Sequence, residues 1–356
     1  MARALQLAEN GLYSTDPNPR VGCVIVNAGH VVGEAWHERA GQPHAEVLAL
    51  NAAGARARGA TAYVSLEPCC HHGRTPPCTA ALIGAGIARV VAAMSDPNPR
   101  VAGQGAGLLS GAGIGVEIGL LEASARALNP GFIQRMQHGR PYVRVKQAIS
   151  LDGRSALANG ESKWISGESS RLDVQRWRAR SSAILTGIGT VLADDPSLTV
   201  RSVEFAGCAP LRVVVDSDLR LPAGAKLLAQ AGAVLVATAN DDNARATALR
   251  AAGAEILVLP GADGRVDLVA LLAELARREI NELLVEAGAR LSGALLQARL
   301  VDEVIVYLAA HIMGTGARGM FDIPLLTQMS ERVAFTIGEV RAVGADWRIV
   351  AKPTKN

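Results

Sequence analysis

Three potential metal ligands, far apart in the sequence, place the strongest constraint on how this chain folds. His44, Cys69 and Cys78 carry side chains that tetrahedral zinc prefers. A single ion can bind all three only if residues 44 to 78 fold back on themselves. Three protein ligands also leave a fourth position for a water molecule, which is typical of catalytic rather than structural zinc sites.

Glu46 follows the first of these ligands by two residues and is suited to act as a general base. Bound zinc lowers the pKa of its water from about 16 to about 7, and a nearby carboxylate can pass the water's proton to a leaving amine. A His-x-Glu segment followed by Pro-Cys and a second Cys is typical of zinc deaminases, in which the Glu is not a ligand. This chain departs from that pattern because eight residues separate Cys69 from Cys78. We therefore predict His44, Cys69 and Cys78 as zinc ligands and Glu46 as the catalytic residue.

A structural zinc site is the alternative, since Cys70, His71 and His72 lie between two of the predicted ligands. Four of these six candidates are enough to hold a structural zinc ion. Such a site has no need of Glu46 beside its first ligand, which favours the catalytic interpretation. The sequence leaves open whether Cys70 is a neutral neighbour or a competing ligand.

Length and composition limit the classes of protein to which the chain can belong. Its 356 residues exceed the size at which one hydrophobic core keeps growing, so we expect two domains. Hydrophobic residues at 49% and charged residues at 19% are typical of a globular protein. The net charge of +3 is compatible with an anionic phosphate ligand but too small to indicate nucleic-acid binding.

The five cysteines and the distribution of apolar residues bear on cellular location. An odd number of cysteines, three of them beside histidines, indicates a metal and a reducing compartment rather than a disulfide framework. No apolar run approaches the length of a membrane-spanning helix, and we recognise no leader segment. We therefore expect a cytoplasmic protein without membrane contact, and a homo-oligomer whose size the sequence does not determine.

Short branched apolar runs alternate with helical segments in the first half of the chain. Residues 21–26 and 30–36 predict a hairpin, and helices are expected to begin at His44 and near Cys78. The alternation predicts a mostly parallel sheet covered on both faces. A helix N-terminus beside each of these two ligands also favours a negatively charged thiolate.

The same alternation continues to the end of the chain, after one interruption. The spacing predicts a single helix over 122–137, and the pattern pauses over 137–141. We place the domain boundary at this pause, which gives a first domain over 1–140 and a second over 141–356. The second domain is predicted to contain an α/β sheet whose strands are again separated by helices.

The segment from Glu67 to Cys78 resembles the signature of the bifunctional riboflavin-biosynthesis deaminase–reductase family. It reads Glu-Pro-Cys-Cys-His-His-Gly-Arg-Thr-Pro-Pro-Cys, with Cys70 where that family usually has Ser. The second half resembles the reductase of the same family in Ser-Leu-Asp-Gly-Arg at 150–154, in Gly-Glu-Ser-Lys-Trp-Ile at 160–165 and in Thr-Val-Leu-Ala-Asp-Asp-Pro at 190–196. The resemblance extends over essentially the whole chain.

The resemblance implies a fold, two reactions and two cofactors. The first domain is expected to have a cytidine-deaminase-like fold and the second a dihydrofolate-reductase-like fold. The first is expected to use zinc to deaminate 2,5-diamino-6-(5-phosphoribosylamino)pyrimidin-4(3H)-one. The second is expected to use NADPH to reduce the ribosyl group of 5-amino-6-(5-phosphoribosylamino)uracil to ribityl. The partners are then small phosphoribosylaminopyrimidines, without nucleic acid.

The resemblance also implies binding residues. For NADPH they are Ala148, Trp164, Thr190, Asp194, Ser217, Gly288, Ala289, Arg290, Leu291, Ser292, Gly293 and Ala294. For the substrates they are Asn18, Arg74, Ser162, Arg178, Leu198, Arg201 and Glu286.

Several of these roles have simpler alternatives. Arg178 and Arg201 are suitable forks for a phosphate, although arginines on an exposed helix more often form surface ion pairs. Asn18, in a Pro-Asn-Pro segment, is equally compatible with an Asx turn. The proton donor of the reduction stays open, with Lys146 and Asp152 as candidates.

Two other classes of function are compatible with parts of the sequence. A nucleic-acid or nucleoside deaminase with an accessory nucleotide-binding domain would share the predicted zinc ligands. Recognition of a nucleic-acid strand relies on aromatic stacking, for which an aromatic content of 3% offers little. The non-enzymatic alternative is a protein that binds zinc without releasing ammonia from any aminopyrimidine.

Overall fold

The structure, a computed structural model, describes residues 1–71, 76–99, 101–203 and 207–354. The described residues divide into two compact units. The first runs from Met1 to Arg140 and includes Gly207 and Cys208, and the second comprises residues 141–203 and 209–354.

The first unit is built on one five-stranded sheet. Its described strands are β1 (Gly22–Asn27), β2 (His30–Trp36), β3 (Thr61–Val64), β4 (Arg89–Ala92) and β5 (Gly115–Ile118). The sheet order is β2-β1-β3-β4-β5. Strand β1 pairs antiparallel with both β2 and β3, whereas β3, β4 and β5 are parallel. The sheet is thus parallel on one side only, because the predicted hairpin supplies its other side.

Helices pack closely on this sheet. Those of the first unit are α1 (Ala2–Glu9), α2 (Ala45–Ala53), α3 (Cys78–Gly84), α4 (Gln104–Gly111), α5 (Glu122–Leu128) and α6 (Pro130–His138). Gly22 of β1 and Gly33 of β2 permit this close packing. A Cβ atom at Gly22 would collide with the backbone of Ala4 in α1, and one at Gly33 with that of Ala49 in α2.

The single helix expected over 122–137 is two helices. Helix α5 ends at Leu128, and α6 begins with Pro130 as its first residue. Proline lacks an N–H group and disfavours helical geometry at the preceding residue, so the break falls at Asn129. The Asn129 side chain is buried and bonds both the N–H and the carbonyl of Arg20, at 2.8 and 2.9 Å. The break therefore joins this end of the unit to the segment that leads into β1.

The described residues of the second unit form a nine-stranded sheet and a two-stranded ribbon. The strands are β6 (Tyr142–Ser150), β7 (Arg154–Ala156), β8 (Ala183–Gly187), β9 (Leu211–Val215), β10 (Val234–Thr238), β11 (Ala254–Val258), β12 (Glu282–Val285), β13 (Glu303–Ala309), β14 (Arg318–Gly319), β15 (Phe335–Val343) and β16 (Asp346–Pro353). The large sheet has the order β11-β10-β9-β8-β12-β6-β13-β16-β15, and β7 pairs with β14. In this order, every neighbouring pair from β11 through β13 is parallel. Strand β16 pairs antiparallel with both β13 and β15.

Helices cover both faces of this sheet. They are α7 (Glu168–Arg180), α8 (Ile188–Asp194), α9 (Lys226–Ala229), α10 (Asn243–Ala251), α11 (Leu268–Arg277) and α12 (Ala289–Gln297). Alternate residues of β9 belong to different cores: Val213 packs with α11 and α12, whereas Val214 packs with α8 and α10. Two-sided burial explains the continuous apolar character of these strands.

The strand order changes direction between β8 and β12. Strands β8, β9, β10 and β11 follow one another outward, and the chain then returns to place β12 on the other side of β8. At such a switch point the connections leave the sheet on opposite faces and open a crevice at the carboxyl ends of the strands, where ligands bind in open α/β sheets. Among the described residues, no helix has the length and apolar character needed to cross a membrane.

Candidate active sites

The structure brings His44, Cys69 and Cys78 together in the first unit. Their ligand atoms all lie within 4.8 Å of one another. His44 is the N-cap of α2, Cys78 is the first residue of α3, and Cys69 lies on the segment that follows β3. The Nδ1 atom of His44 is 3.2 Å from the Cys78 sulfur and 3.5 Å from the Cys69 sulfur.

The distance from His44 to Cys69 matches that in a zinc site, and the distance from His44 to Cys78 is slightly shorter. Nitrogen and sulfur ligands at ordinary zinc bond lengths and tetrahedral angles lie about 3.5 to 3.8 Å apart. One imidazole and two sulfurs form a set that leaves one tetrahedral position for water. Of the other candidate ligands within the described residues, neither Cys70 nor His71 belongs to the group of three. His72, the last candidate for a structural zinc site, and the predicted substrate residue Arg74 lie outside the described residues.

Hydrogen bonding favours a thiolate at Cys69. The bond with the Cys78 thiol and then that with His44 lower the pKa of Cys69 well below its usual value, although burial opposes them. The backbone N–H of Cys78 also donates to the Cys69 sulfur at 3.4 Å. Thiolate is the form that binds metals. The pKa of Cys70 is shifted in the other direction: burial raises it, which favours the neutral thiol.

Glu46 lies in the first turn of α2 beside the three ligands. Its side chain is within hydrogen-bonding reach of the Cys78 sulfur, and the residue is only 3% exposed. Burial raises the pKa of this carboxyl. A carboxylate with a raised pKa is a stronger base, which is the property that a proton carrier between water and a leaving amine requires.

The Asn18 side chain bonds a histidine rather than its own backbone. Its Nδ2 atom is 3.0 Å from Nε2 of His37, and the second ring nitrogen of His37 is 3.2 Å from the carbonyl oxygen of Pro43. The imidazole of His37 also meets that of His44 edge-to-face, with ring centroids 5.1 Å apart. The Asx turn considered for Asn18 is not formed, and His37 is a residue that the sequence did not single out.

Glu67 is a second residue whose position the sequence did not reveal. Its buried carboxylate accepts backbone N–H bonds from Asp96, Gly103 and Ala106, at 3.0 to 3.1 Å. Gly105 lies against the same turn, where a Cβ atom would collide with the carbonyl oxygen of Pro68. These contacts hold the turn that carries Cys69. The sequence feature that could have indicated this role is an acidic residue directly before the Pro-Cys pair of the predicted metal site.

In the second unit, predicted cofactor residues meet at the switch point between β8 and β12. Gly288 is the N-cap of α12, and a Cβ atom there would lie 4.0 Å from Oγ1 of Thr190 on α8. Gly187 is the N-cap of α8, and a Cβ atom there would lie 3.3 Å from the side chain of Leu291 on α12. The N-terminus of α12 therefore opens into the crevice, where the helix dipole and free N–H groups favour a phosphate.

The other predicted cofactor residues differ in what their side chains contact. Ala148 lies in the second half of β6, Ser217 follows β9, and Asp194 ends α8 within 3.2 Å of Lys163. Trp164 is 70% exposed, with the guanidinium of Arg171 4.5 Å from its ring centroid. Of the α12 residues, Ser292 is buried and bonds Gln147, and a Cβ atom at Gly293 would collide with the backbone of Asp322, whereas Arg290 is exposed and Ala289 and Ala294 are half-buried.

Four of the predicted substrate residues lie around one ion pair. Arg178 of α7 donates two bonds to the Glu286 carboxylate, at 2.6 and 2.9 Å, and a third to the carbonyl oxygen of Thr199. Leu198 precedes Thr199 and is buried, and the backbone N–H of Arg201 donates to Gln175, one turn before Arg178. Among the described residues, Ser162 forms no hydrogen bond with this group. In the described part of the chain, Arg178 thus has partners for three of its five N–H groups, which leaves two for a ligand.

The two candidate proton donors differ in environment. Asp152 accepts bonds from the Ser150 hydroxyl and from the backbone of Met313 and Gly314, and these bonds lower its pKa to about 2. It is therefore ionised at neutral pH and holds a turn, which makes it unsuitable as a donor. Burial lowers the pKa of Lys146, while the nearby Glu286 opposes that shift.

Two family models match the chain. The model described as the RibD C-terminal domain matches residues 141–349, and the model described as the cytidine and deoxycytidylate deaminase zinc-binding region matches residues 1–94. Together they account for both halves in the order that the sequence resemblance predicted. The predicted fold class, cytidine-deaminase-like followed by dihydrofolate-reductase-like, is confirmed.

Relatives match over nearly the full length. Riboflavin biosynthesis protein RibD of Escherichia coli strain K12 is 50% identical over 357 residues, which cover 97% of this chain and 96% of that protein. A solved structure of Acinetobacter baumannii RibD shares 47% identity with a TM-score of 0.92, covering 99% of this chain and 98% of that one. A Thermotoga maritima diaminohydroxyphosphoribosylaminopyrimidine deaminase/5-amino-6-(5-phosphoribosylamino)uracil reductase shares 34% identity with a TM-score of 0.87, covering 99% and 97%. On these matches, the chain belongs to the RibD family of bifunctional riboflavin-biosynthesis enzymes.

Proposed function

We propose that the two units catalyse consecutive steps of riboflavin biosynthesis. The first unit, with residues 1–140, hydrolyses the 2-amino group of 2,5-diamino-6-(5-phosphoribosylamino)pyrimidin-4(3H)-one and releases ammonia. The second, with residues 141–356, reduces the ribosyl group of the deaminated product to ribityl. The cofactors are zinc for the first reaction and NADPH for the second. The observation that carries the proposal is the convergence of His44, Cys69 and Cys78 beside the buried Glu46.

In the deamination, His44, Cys69 and Cys78 hold the metal and Glu46 moves the protons. Bound zinc supplies a water acidic enough to be deprotonated near neutral pH. Glu46 takes that proton and returns it to the departing amine, and its buried position shields the transfer from bulk water. Asn18 is suited to contact the pyrimidine because its side chain is held toward His37, itself in contact with His44.

In the reduction, NADPH supplies the hydride and the protein positions the reactants. The N-terminus of α12 and the glycine before it suit the cofactor phosphates. Arg178 and Arg201 suit the phosphate of the substrate, while Glu286 orients the guanidinium of Arg178. The substrates are small molecules; a homo-oligomeric state and a cytoplasmic location stay predictions.

Ammonia release and NADPH oxidation, measured in sequence, test the whole proposal. The purified protein is given the diaminopyrimidine phosphate without NADPH, and ammonia is quantified. NADPH is then added and its absorbance followed. We expect one ammonia per substrate, and NADPH oxidation only after deamination. Cytidine and single-stranded DNA serve as control substrates, and ammonia from either of them in preference would support the nucleoside or nucleic-acid alternative.

Substitution of a zinc ligand tests the composition of the metal site. His44→Ala, Cys69→Ala and Cys78→Ala are each expected to lower zinc content below one ion per chain, since each removes one of three protein ligands. Elemental analysis measures the content. Cys70→Ala is the matched control and should retain zinc, because Cys70 lies outside the ligand group. Full zinc in Cys78→Ala together with loss in Cys70→Ala would mean that the wrong thiolate was assigned.

Arg201→Ala tests the division of labour between the units. The hydrogen bond to Gln175 comes from the backbone of Arg201, so the substitution leaves that bond in place and removes the side chain with its guanidinium. We expect KM for the reduction to rise by about 10- to 100-fold, the effect of one charge-assisted hydrogen bond, with ammonia release unchanged. Arg277→Ala, which removes an exposed guanidinium from α11, is the control. Loss of deamination in Arg201→Ala would contradict the two-site division.

A further inference from the structure

His37 lies between the predicted metal site and Asn18, the residue predicted to contact the pyrimidine. It follows β2, is only 2% exposed, and meets the ring of the predicted ligand His44 edge-to-face. Both of its ring nitrogens have protein partners: the carbonyl oxygen of Pro43 and the side-chain nitrogen of Asn18. Neither the metal chemistry nor the proton transfer proposed above uses this imidazole.

The partners of His37 determine where its proton lies. A carbonyl oxygen can only accept a hydrogen bond, so the Nδ1 atom facing Pro43 carries the hydrogen. In a neutral imidazole the other nitrogen, Nε2, is then an acceptor. The Asn18 group at 3.0 Å from Nε2 must therefore be the N–H₂ end of the amide. The backbone carbonyl before His44 thus sets the orientation of a side chain on a different segment.

This arrangement leaves the Asn18 carbonyl oxygen available to a ligand. Within the part of the chain that the structure describes, the side chain of Asn18 has one hydrogen bond, the one to His37, and its backbone N–H bonds Thr15. The residue is half-buried, and its side-chain oxygen is not among the fully buried unpaired polar atoms of the described residues, so a bound molecule can reach it. An accessible acceptor whose neighbouring amide group is already fixed by a hydrogen bond is suited to a donor on a bound molecule.

We propose that His37 is a positioning residue that presents the Asn18 carbonyl oxygen as a hydrogen-bond acceptor to a ring N–H or amino group of the aminopyrimidine. The Pro43 carbonyl sets the His37 tautomer, and His37 sets the Asn18 amide. The site thereby selects rings that carry a donor at that edge and disfavours rings that carry an acceptor there. This inference rests on the proposed deaminase function and adds the residue that determines its ring specificity.

His37→Phe tests the proposal, because phenylalanine retains a ring against His44 but has no nitrogen. We expect KM for the diaminopyrimidine phosphate to rise by about five- to tenfold, the effect of one misdirected hydrogen bond, and kcat to change by less than about twofold. A rise in KM at constant kcat indicates lost binding rather than lost chemistry. Zinc content and NADPH-dependent reduction of supplied intermediate are measured in the same preparation and should equal those of the wild type.

A double-mutant cycle separates positioning from a general packing role. If His37 acts through Asn18, then His37→Phe should add nothing to Asn18→Ala, and the double variant should match Asn18→Ala alone. His37→Gln, whose amide can still accept from Asn18, should recover part of the loss. Additive KM effects, no change of KM in His37→Phe, or loss of zinc in both His37→Phe and His37→Gln would each overturn the proposal. A wild-type protein that releases no ammonia from the diaminopyrimidine would instead refute the proposed function.

Discussion

Glu46→Gln is expected to lower kcat for ammonia release by about two to four orders of magnitude, the usual contribution of a positioned acid–base group. The amide has nearly the shape of the carboxylate but cannot take a proton from water. Glu46 is buried beside the Cys78 sulfur and is not one of the three grouped ligands, so zinc content should stay at one ion per chain. Reduction of supplied intermediate in the second unit should also be unchanged.

Steady-state ammonia release and elemental analysis on the same sample measure this effect. Glu38→Gln is the matched control, since it makes the same chemical change on an exposed residue of the same unit. Retention of zinc separates a lost base from a lost ligand. Wild-type ammonia release from Glu46→Gln would show that another group moves the proton, and loss of zinc would show that Glu46 holds the metal.

The zinc site was predictable from the sequence because its chemistry is local to a few residue types. Imidazole and thiolate at His44, Cys69 and Cys78 have few roles other than metal binding when they occur together, and the structure groups these three. The role of His37 was not predictable, because its bond to Asn18 depends on how the end of β2 lies beside an earlier loop. Glu67 was missed for the same reason: its three partners come from a segment beyond β4.

The alternation of apolar runs predicted the strands and helices, and departures arose where one residue overrides periodicity. The apolar spacing over 122–137 continues through Pro130, but the missing N–H divides the helix there. The first sheet is only partly parallel, since a hairpin is antiparallel whatever its neighbours are. Pair partners such as Arg178 and Glu286, on α7 and at the end of β12, follow from topology and not from spacing.

Arg144→Met is expected to lower the free energy of unfolding of the second unit by about 3 to 5 kcal/mol, the usual effect of removing one partner from a buried ion pair. Arg144 is 3% exposed and lies on β6, between β12 and β13 in the sheet. It bonds Glu282 of one neighbouring strand and Glu303 of the other, the latter at 2.6 Å. Methionine fills a similar volume but leaves two buried carboxylates facing each other without the cation between them.

The surroundings of Arg144 determine how much of this loss is recovered elsewhere. Arg180 also bonds Glu282, at 3.1 Å, so that carboxylate keeps one cation. The guanidinium of Arg144 additionally lies over the rings of Tyr142 and Trp177, at 4.7 and 5.6 Å from their centroids, and this stabilisation is lost as well. The cluster formed by Arg144, Glu282 and Glu303 lies at the amino ends of their strands, whereas the crevice opens at the carboxyl ends. We therefore expect the substitution to lower stability and to leave the NADPH affinity of the folded protein unchanged.

Urea unfolding followed by tryptophan fluorescence measures this effect, since Trp177 lies beside the cluster and three of the four tryptophans belong to the second unit. Arg277→Met, at an exposed ion pair with Glu274, is the control and should change stability by less than about 1 kcal/mol. Arg144→Met combined with Glu303→Leu should recover part of the loss, because an apolar replacement of both partners removes the unpaired charge as well as the pair. Equal stability of Arg144→Met and the wild type would show that the buried carboxylates are neutralised in some other way. A double variant no more stable than Arg144→Met would place the loss in the ring contacts instead of the ion pair.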